Sequence, residues 1–585
     1  MKKYFYITIL SATVLLTGCL EEKFPTSMVS NEQITGERAI ESLASGIYSY
    51  LTVYNAYDNG SQDWGYPARM LTHHVMGPDM PAYQTGYEYF RYPYGSLDYL
   101  GNTGYQACDW TYYYKQIFAS NLVINRVDLT DMESISADVK PIIGQALVMR
   151  AWMYFDMAVT YEFKLTGIAD IDAEAQADGI IGLTVPITDG QGEESEAFNN
   201  PRAPFYEMYR FILTDLNKAE QLLTGYTRSS KGRPDLSVVY GMQARLWLEL
   251  ASRFRLDESD LATMVSHEND EALARYDRLG VTTAQACYAK AADYARKAID
   301  YGGYQPISQS EWFTTTGSGF NSATGQNSWM MAVIITQDAV PYYPYYSWPG
   351  CNSSETTFGV AGVQYKGFRL IGKSLYDQIP VTDWRKNTWV DPADIVNGKG
   401  KAPGTKYTTC LTDAQFAEVP AYAGLKFKPG QGDVANSTVG NAVDIPMMRI
   451  EEMYFIEAEA RGRSESVETG KTLLTNFMNT YRYTDGSYAC TATTADALDE
   501  AVLLQKRIEF WGEGVGVLDF KRLKLQVVRG YTDTNFLPIC RYNSVEGYAP
   551  AWMNKYIPEN ESNRNTDVIS NPDASGRLTQ YLWSE

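Results

Sequence analysis

The apolar positions along the chain fall into three patterns. Near the N-terminus, Lys2 and Lys3 precede an apolar run, Ile7 to Leu16, which is shorter than a spanning helix needs. Further on, apolar and small residues recur at helical spacing. Pro141 to Glu162 is apolar nearly all round, as in a helix buried on every side, and Tyr240, Ala244, Trp247 and Ala251 mark a second helix behind Pro234. Ala284, Tyr288, Ala291, Ala295 and Ala298 mark a third over Thr283 to Tyr301, which Gly302-Gly303 stops. Helical signals return over Ile445 to Arg463, Ser466 to Tyr481 and Ala495 to Glu513. Between about 303 and 444 the periodicity is lost, and Gly, Ser, Thr, Asn, Pro and aromatic residues predict long loops and short strands.

These patterns predict a mainly α fold. Helices built from alanine and aromatic residues resemble tetratricopeptide repeats, with small residues where helices approach closely. The expected organisation is a signal segment over 1–18 and one domain over 19–585. Its helical repeats fill about 36–302 and 445–525, interrupted by an irregular, loop-rich lobe over about 303–444.

The first apolar run ends in Leu16-Thr17-Gly18-Cys19, the small-residue-then-cysteine pattern of a lipoprotein signal. Cleavage there leaves Cys19 N-terminal and lipidated, and two or three acyl chains hold a protein durably on a membrane. Loss of 1–18 also removes Lys2 and Lys3 from a chain whose formal net charge is already −20, so nucleic acid is not an expected partner. The other cysteines, at 108, 287, 351, 410, 490 and 540, lack the paired spacing of a metal or redox site. With 45% hydrophobic and 13% aromatic residues the chain can bury a large core, and its 45 tyrosines, many outside helical segments, call for a surface role.

Five separated motifs stand in one order. Trp110 is followed by Tyr114, Ile117, Ala119, Asn121 and Ile124. Gln145 to Ala151 runs into Tyr154-Phe155 and then Gly182 to Pro186. Ile212, Asp215-Leu216 and Ala219 precede Gly232-Arg233-Pro234. Arg449, Glu452 and Tyr454 lead into Glu457-Ala458-Glu459-Ala460, and Glu509 to Gly514 precedes Asp519-Phe520-Lys521-Arg522. In this order, behind a lipobox, the motifs resemble the SusD/RagB family of surface lipoproteins over essentially the whole chain. Gln505 and Lys506 depart from the family's usual Glu-Arg, and Gly516 from a common arginine, which puts one expected ion pair in doubt. The resemblance implies a partner, a SusC-like TonB-dependent outer-membrane transporter, and an oligosaccharide ligand, with a peptide-capturing RagB-like role as the alternative. It also gives Glu21-Glu22, just after Cys19, the look of a surface-export signal, which implies outer-membrane attachment facing the exterior.

The motif charges, Arg150, Arg449, Glu452, Glu457, Glu513, Asp519 and Arg522, lie in or beside apolar helices, where charges persist when paired, so they read as scaffold. A surface glycoside hydrolase using Glu509 and Glu513 is a rival, but one helix face would carry both groups, whereas catalytic carboxylates flank a substrate bond. Adjacent His73 and His74 would diverge rather than share a zinc, and the common catalytic motifs are missing, so neither an enzyme nor a cofactor is expected, with a structural calcium left open. Sugar rings pack their C–H faces on aromatic side chains and pair their hydroxyls with polar ones. Two irregular aromatic segments offer that chemistry: Trp64 to Tyr94, with Trp64, Asp79, Tyr83 and Tyr87, and Trp312 to Trp348, with Trp312, Tyr345 and Trp348.

Overall fold

The computed structural model describes residues 36–54, 57, 62–83, 100–191, 198–340, 347–359 and 367–584. Cys19, Tyr87 and Tyr345 lie outside the described residues. The helical scaffold follows the apolar periodicity closely. Its helices are α1 (Glu37–Ser49), α2 (Tyr66–Val75), α3 (Gly104–Ile124), α4 (Lys140–Tyr161), α5 (Phe205–Leu223), α6 (Leu236–Leu256) and α7 (Ala284–Asp300), then α8 (Ile450–Ser464), α9 (Val467–Tyr481) and α10 (Ala495–Glu509).

Most of these helices stack in chain order. Helix α3 packs on α1 and α4, α4 on α5, α5 on α6, α6 on α7, α7 on α8, and α8 on both α9 and α10. Every residue of α4 from Ile143 to Tyr161 is buried, as its all-round apolarity requires. Its Gly144 fits there because a Cβ would stand 2.8 Å from Leu223 Cγ of α5. Gly462 and Gly470 do the same where α8 meets α9, a Cβ on Gly470 falling 2.4 Å from the Ala458 carbonyl oxygen. Caps fix the starts: Asp235 accepts from Ser237 N–H at 3.1 Å ahead of α6, and Thr283 from Ala286 N–H at 3.1 Å ahead of α7.

The helix expected over Ile445 to Arg463 is only partly a helix. Ile445–Arg449 forms strand β2, which pairs antiparallel with β1 (Trp329–Val333), and α8 begins at Ile450. Pro446 resists helix and, like its four strand neighbours, is buried, so the segment satisfies its backbone against the lobe instead. The next expected boundary also moves: α10 ends at Glu509, and the chain turns through Gly512 and Gly514, both at positive φ.

The lobe contains β1, a two-residue ribbon pairing Ile395–Val396 with Lys399–Gly400, and short helical turns. It is packed rather than loose. One small apolar cluster gathers Phe368, Leu370, Val390, Tyr407, Phe416 and Leu425, while Trp312, Trp329, Trp348 and Trp389 belong to the same core as the helical stack. The six cysteines from 108 to 540 are free thiols. Among the described residues no helix is long and apolar enough to cross a membrane.

Candidate functional site

The two aromatic segments singled out in the sequence do converge, but beneath the surface. Trp64 and Trp348 line one small cavity of about 20 Å³ together with Pro67 and Ile445. Trp64 is 4% exposed, Trp312 1% and Trp348 1%, so the expectation that these three rings face solvent is corrected. Their rings have become core. Trp348 meets Phe427 edge-on at 5.2 Å, Phe427 meets Phe320 at 5.6 Å, Phe320 meets Trp312 at 4.9 Å, and Trp312 meets Trp384 at 5.5 Å. The indole N–H of Trp312 donates to Thr388 Oγ1 at 3.0 Å.

Asp79 is likewise corrected as a group open to ligand. It is 1% exposed, and its carboxylate accepts two hydrogen bonds from Arg507, at 2.9 and 2.6 Å, which leaves it holding α10 against the segment after α2. Tyr83 behaves differently. It is 39% exposed and seats its ring edge-on against Phe368 at 5.6 Å, while its backbone N–H donates to the Phe368 carbonyl and Ala82 bridges to Arg369. Phe358 lies tilted against Phe368 at 5.9 Å. Of the predicted aromatic residues that the structure describes, Tyr83 is the one that presents a ring to solvent, on a base fixed by the lobe's own core.

The motif charges form the scaffold that the sequence implied. Arg150 grips Asp215 with two bonds of 2.7 Å, Arg245 grips Glu452 with two of 2.7 Å, and Arg522 joins Asp519 to Glu459. At the junction of α8, α10 and the lobe, Glu509 receives Arg482 at 2.7 Å, Arg385 at 2.9 Å and Arg449 at 3.0 Å, and Arg449 also reaches Glu513 at 2.8 Å and Glu451 at 3.0 Å. Lys426 completes Glu513, and Asp383 completes Arg385. Four cations thus meet four carboxylates with side chains between 0 and 2% exposed.

Burial pushes the Glu509 carboxyl up, but Arg482, Arg449 and Arg385 outweigh it and hold the group well below the ordinary carboxylate range. Burial brings the Lys426 ammonium down to about 8. No proton can be exchanged with substrate by carboxylates so fully engaged, which removes the basis for a Glu509–Glu513 hydrolase. Arg385, Lys426 and Arg482 were not foreseen as partners; they stand in other segments, and no local spacing marks them. The departures at 505 and 506 are also resolved. Gln505 Oε1 accepts from Arg385 at 2.5 Å, and Lys506 pairs with Asp519.

A cavity of about 110 Å³ with a mixed polar and apolar lining lies beside this junction, with Tyr66, Asp156, Arg245 and Lys506 in its wall. Asp156 accepts from Tyr66 O–H at 2.7 Å, and its burial raises its pKa to about 6. His73 and His74 are buried close by, with His74 Nε2 accepting from Gly512 N–H at 3.1 Å. Among the described residues no three or more His, Cys, Asp or Glu side chains gather closely enough to hold a metal ion. A wider concavity, of about 1020 Å³, runs along α10 past Tyr483, Tyr488 and Phe520 and includes none of the predicted site residues.

Residues 25–248 match the model of a SusD-like family described as starch-binding and associating with the outer membrane. The fold is similar to several solved structures. A SusD-like carbohydrate-binding protein from Bacteroides vulgatus shares 21% identity with a TM-score of 0.64, over 91% of this chain and 97% of that one. A SusD superfamily protein from Bacteroides thetaiotaomicron shares 18% with a TM-score of 0.62, over 92% and 100%. A laminarin-binding SusD-like protein shares 15% with a TM-score of 0.59, over 92% and 99%. No curated protein matches the sequence.

Proposed function

We propose, from the premise that this chain belongs to the SusD-like family, that it captures oligosaccharide outside the cell and passes it uncleaved to a SusC-like TonB-dependent transporter. The carrying observation is Tyr83, a ring open to solvent on a rigid aromatic base, which is the surface a pyranose C–H face packs on. Tyr87 and Tyr345 are proposed to contribute further rings. That one similar structure is a carbohydrate-binding protein and another a laminarin-binding one favours a glycan over a peptide. The engagement of Glu509 and Glu513 favours binding without hydrolysis.

Attachment is proposed through a lipid on Cys19, in line with the family's association with the outer membrane. A tethered subunit has a high effective concentration toward a transporter in the same membrane, so a modest direct contact suffices for a working complex. Gentle detergent extraction should recover the chain together with that transporter, and Cys19→Ala should move it to the soluble fraction. Titration with laminarin oligosaccharides, other glucans and peptides tests the ligand. Tyr83→Ala should weaken glycan binding by about 1 kcal/mol, or several-fold, while leaving thermal unfolding close to the parent. Peptide binding in place of glycan binding would overturn the proposal in favour of peptide capture.

A further inference from the structure

The loop between α5 and α6, the end of α7 and the lobe near β1 meet around a second concavity, of about 670 Å³, which shares no residue with the Tyr83 face. Its construction begins at the stop of α7. Gly302 and Gly303 both adopt positive φ, which turns the chain sharply enough for Tyr301 and Tyr304, on either side, to line the same groove. Tyr304 is held firmly: its hydroxyl accepts from Arg228 Nη2 at 2.7 Å and lies 2.8 Å from Ser237 Oγ. Arg228 is itself fully engaged, through Asp235 at 3.0 Å and the Arg233 carbonyl at 2.9 Å, so its charge is neutralised inside the wall. Tyr301 meets Tyr240 edge-on at 6.1 Å and remains partly exposed.

Lys231 is the exception to this balance. Its ammonium donates to the Gln326 carbonyl and has no carboxylate partner among the described residues. Burial, with Arg228 nearby, lowers its pKa to about 8. An anionic ligand would therefore meet a cation that no carboxylate among the described residues compensates, in a chain whose net charge is −20. Exposed Ser229, Thr324 and Asn327 supply hydroxyl and amide groups around it. An aromatic ring, a hydroxyl-binding rim and an ammonium without a carboxylate partner among the described residues are the groups that an acidic sugar requires, whereas a bare inorganic anion would have no use for the ring.

We propose that this groove is a second saccharide-binding site selective for a uronate sugar, with Tyr301 packing on the pyranose and Lys231 pairing with its carboxylate. It is independent of the Tyr83 face, and the two fail separately. The test is calorimetry on the full chain carrying Tyr83→Ala, which takes the first face out of the reading. The probes are oligomers of galacturonate, glucuronate and guluronate, the methyl ester of the galacturonate oligomer, and sodium sulfate. At least one acidic oligomer should bind, and esterifying the galacturonate oligomer should weaken it by about tenfold, the loss of one charge-assisted bond. Lys231→Gln should erase the difference between acid and ester, and Tyr301→Ala should weaken both several-fold. Each variant is compared with its parent in thermal unfolding, since neither side chain lies in the core. The proposal is overturned if no acidic oligomer binds, if ester and acid bind alike, if both variants leave affinity unchanged, or if sulfate at matched ionic strength binds as well as the oligomer.

Discussion

The junction around Glu509 and the groove beside Tyr304 are made of the same materials, arginine, carboxylate, lysine and aromatic ring, and they do opposite things with them. In the junction every charge is answered: Arg385, Arg449, Arg482 and Lys426 meet Asp383, Glu451, Glu509 and Glu513 with no solvent access. In the groove Arg228 and Asp235 answer each other, Lys231 is left over, and Tyr301 keeps part of its surface in water. Residue type therefore does not distinguish scaffold from site. What distinguishes them is whether the last partner comes from the protein itself or must come from outside.

The largest effect should come from opening the closed junction around Glu509. Glu509→Gln leaves three buried guanidinium groups short of a carboxylate and should cost about 3–5 kcal/mol, read as a lowered denaturation midpoint or failure to fold. A variant as stable as the parent would show that the junction is not closed. Next, Trp348→Ala should cost about 3 kcal/mol through the cavity it opens against Phe427, with glycan affinity retained in the folded fraction. Lost affinity at unchanged stability would return Trp348 to the binding site.

A smaller effect separates paired from unpaired carboxylates within the core. Glu509 is held below its unfolded pKa, so its contribution is present above that value and is lost as pH falls through the folded one. Asp156 has the opposite sign. With its pKa raised to about 6, the folded state binds the proton more tightly than the unfolded chain, so the contribution of Asp156 to stability is greatest in acid and is lost as pH rises through about 6. Asp156→Asn should flatten that decline, by on the order of 1 kcal/mol between pH 5 and 7 in chemical denaturation. An unchanged slope would mean that another group causes it.

The helical stack was legible because its signals are local. The all-round apolarity of α4, the alanine positions of α7 and the turn at Gly302-Gly303 each follow from a few neighbouring residues. Strand β2 was not, since Ile445-Pro446-Met447-Met448 is a short buried run that adjoins a true helix, and periodicity does not separate a buried strand from a buried helix over so few residues. The aromatic content of the lobe was legible, but its burial was not. Trp312 and Trp348 lie in loop-like sequence, yet the packing that covers them comes from Phe427, Trp384 and Phe320, which no spacing rule connects. The charged motifs were rightly assigned to scaffold, although Arg385 lies 124 residues from its partner Glu509.

The proposed activity is glycan binding without cleavage. Its most direct test is to titrate the purified full chain with laminarin oligosaccharides and a wider glycan panel while following release of reducing ends in the same samples. Saturable binding of at least one glycan is expected, weakened by Tyr83→Ala, with no new reducing ends over prolonged incubation. Release of shortened products, or binding confined to peptides, would contradict it.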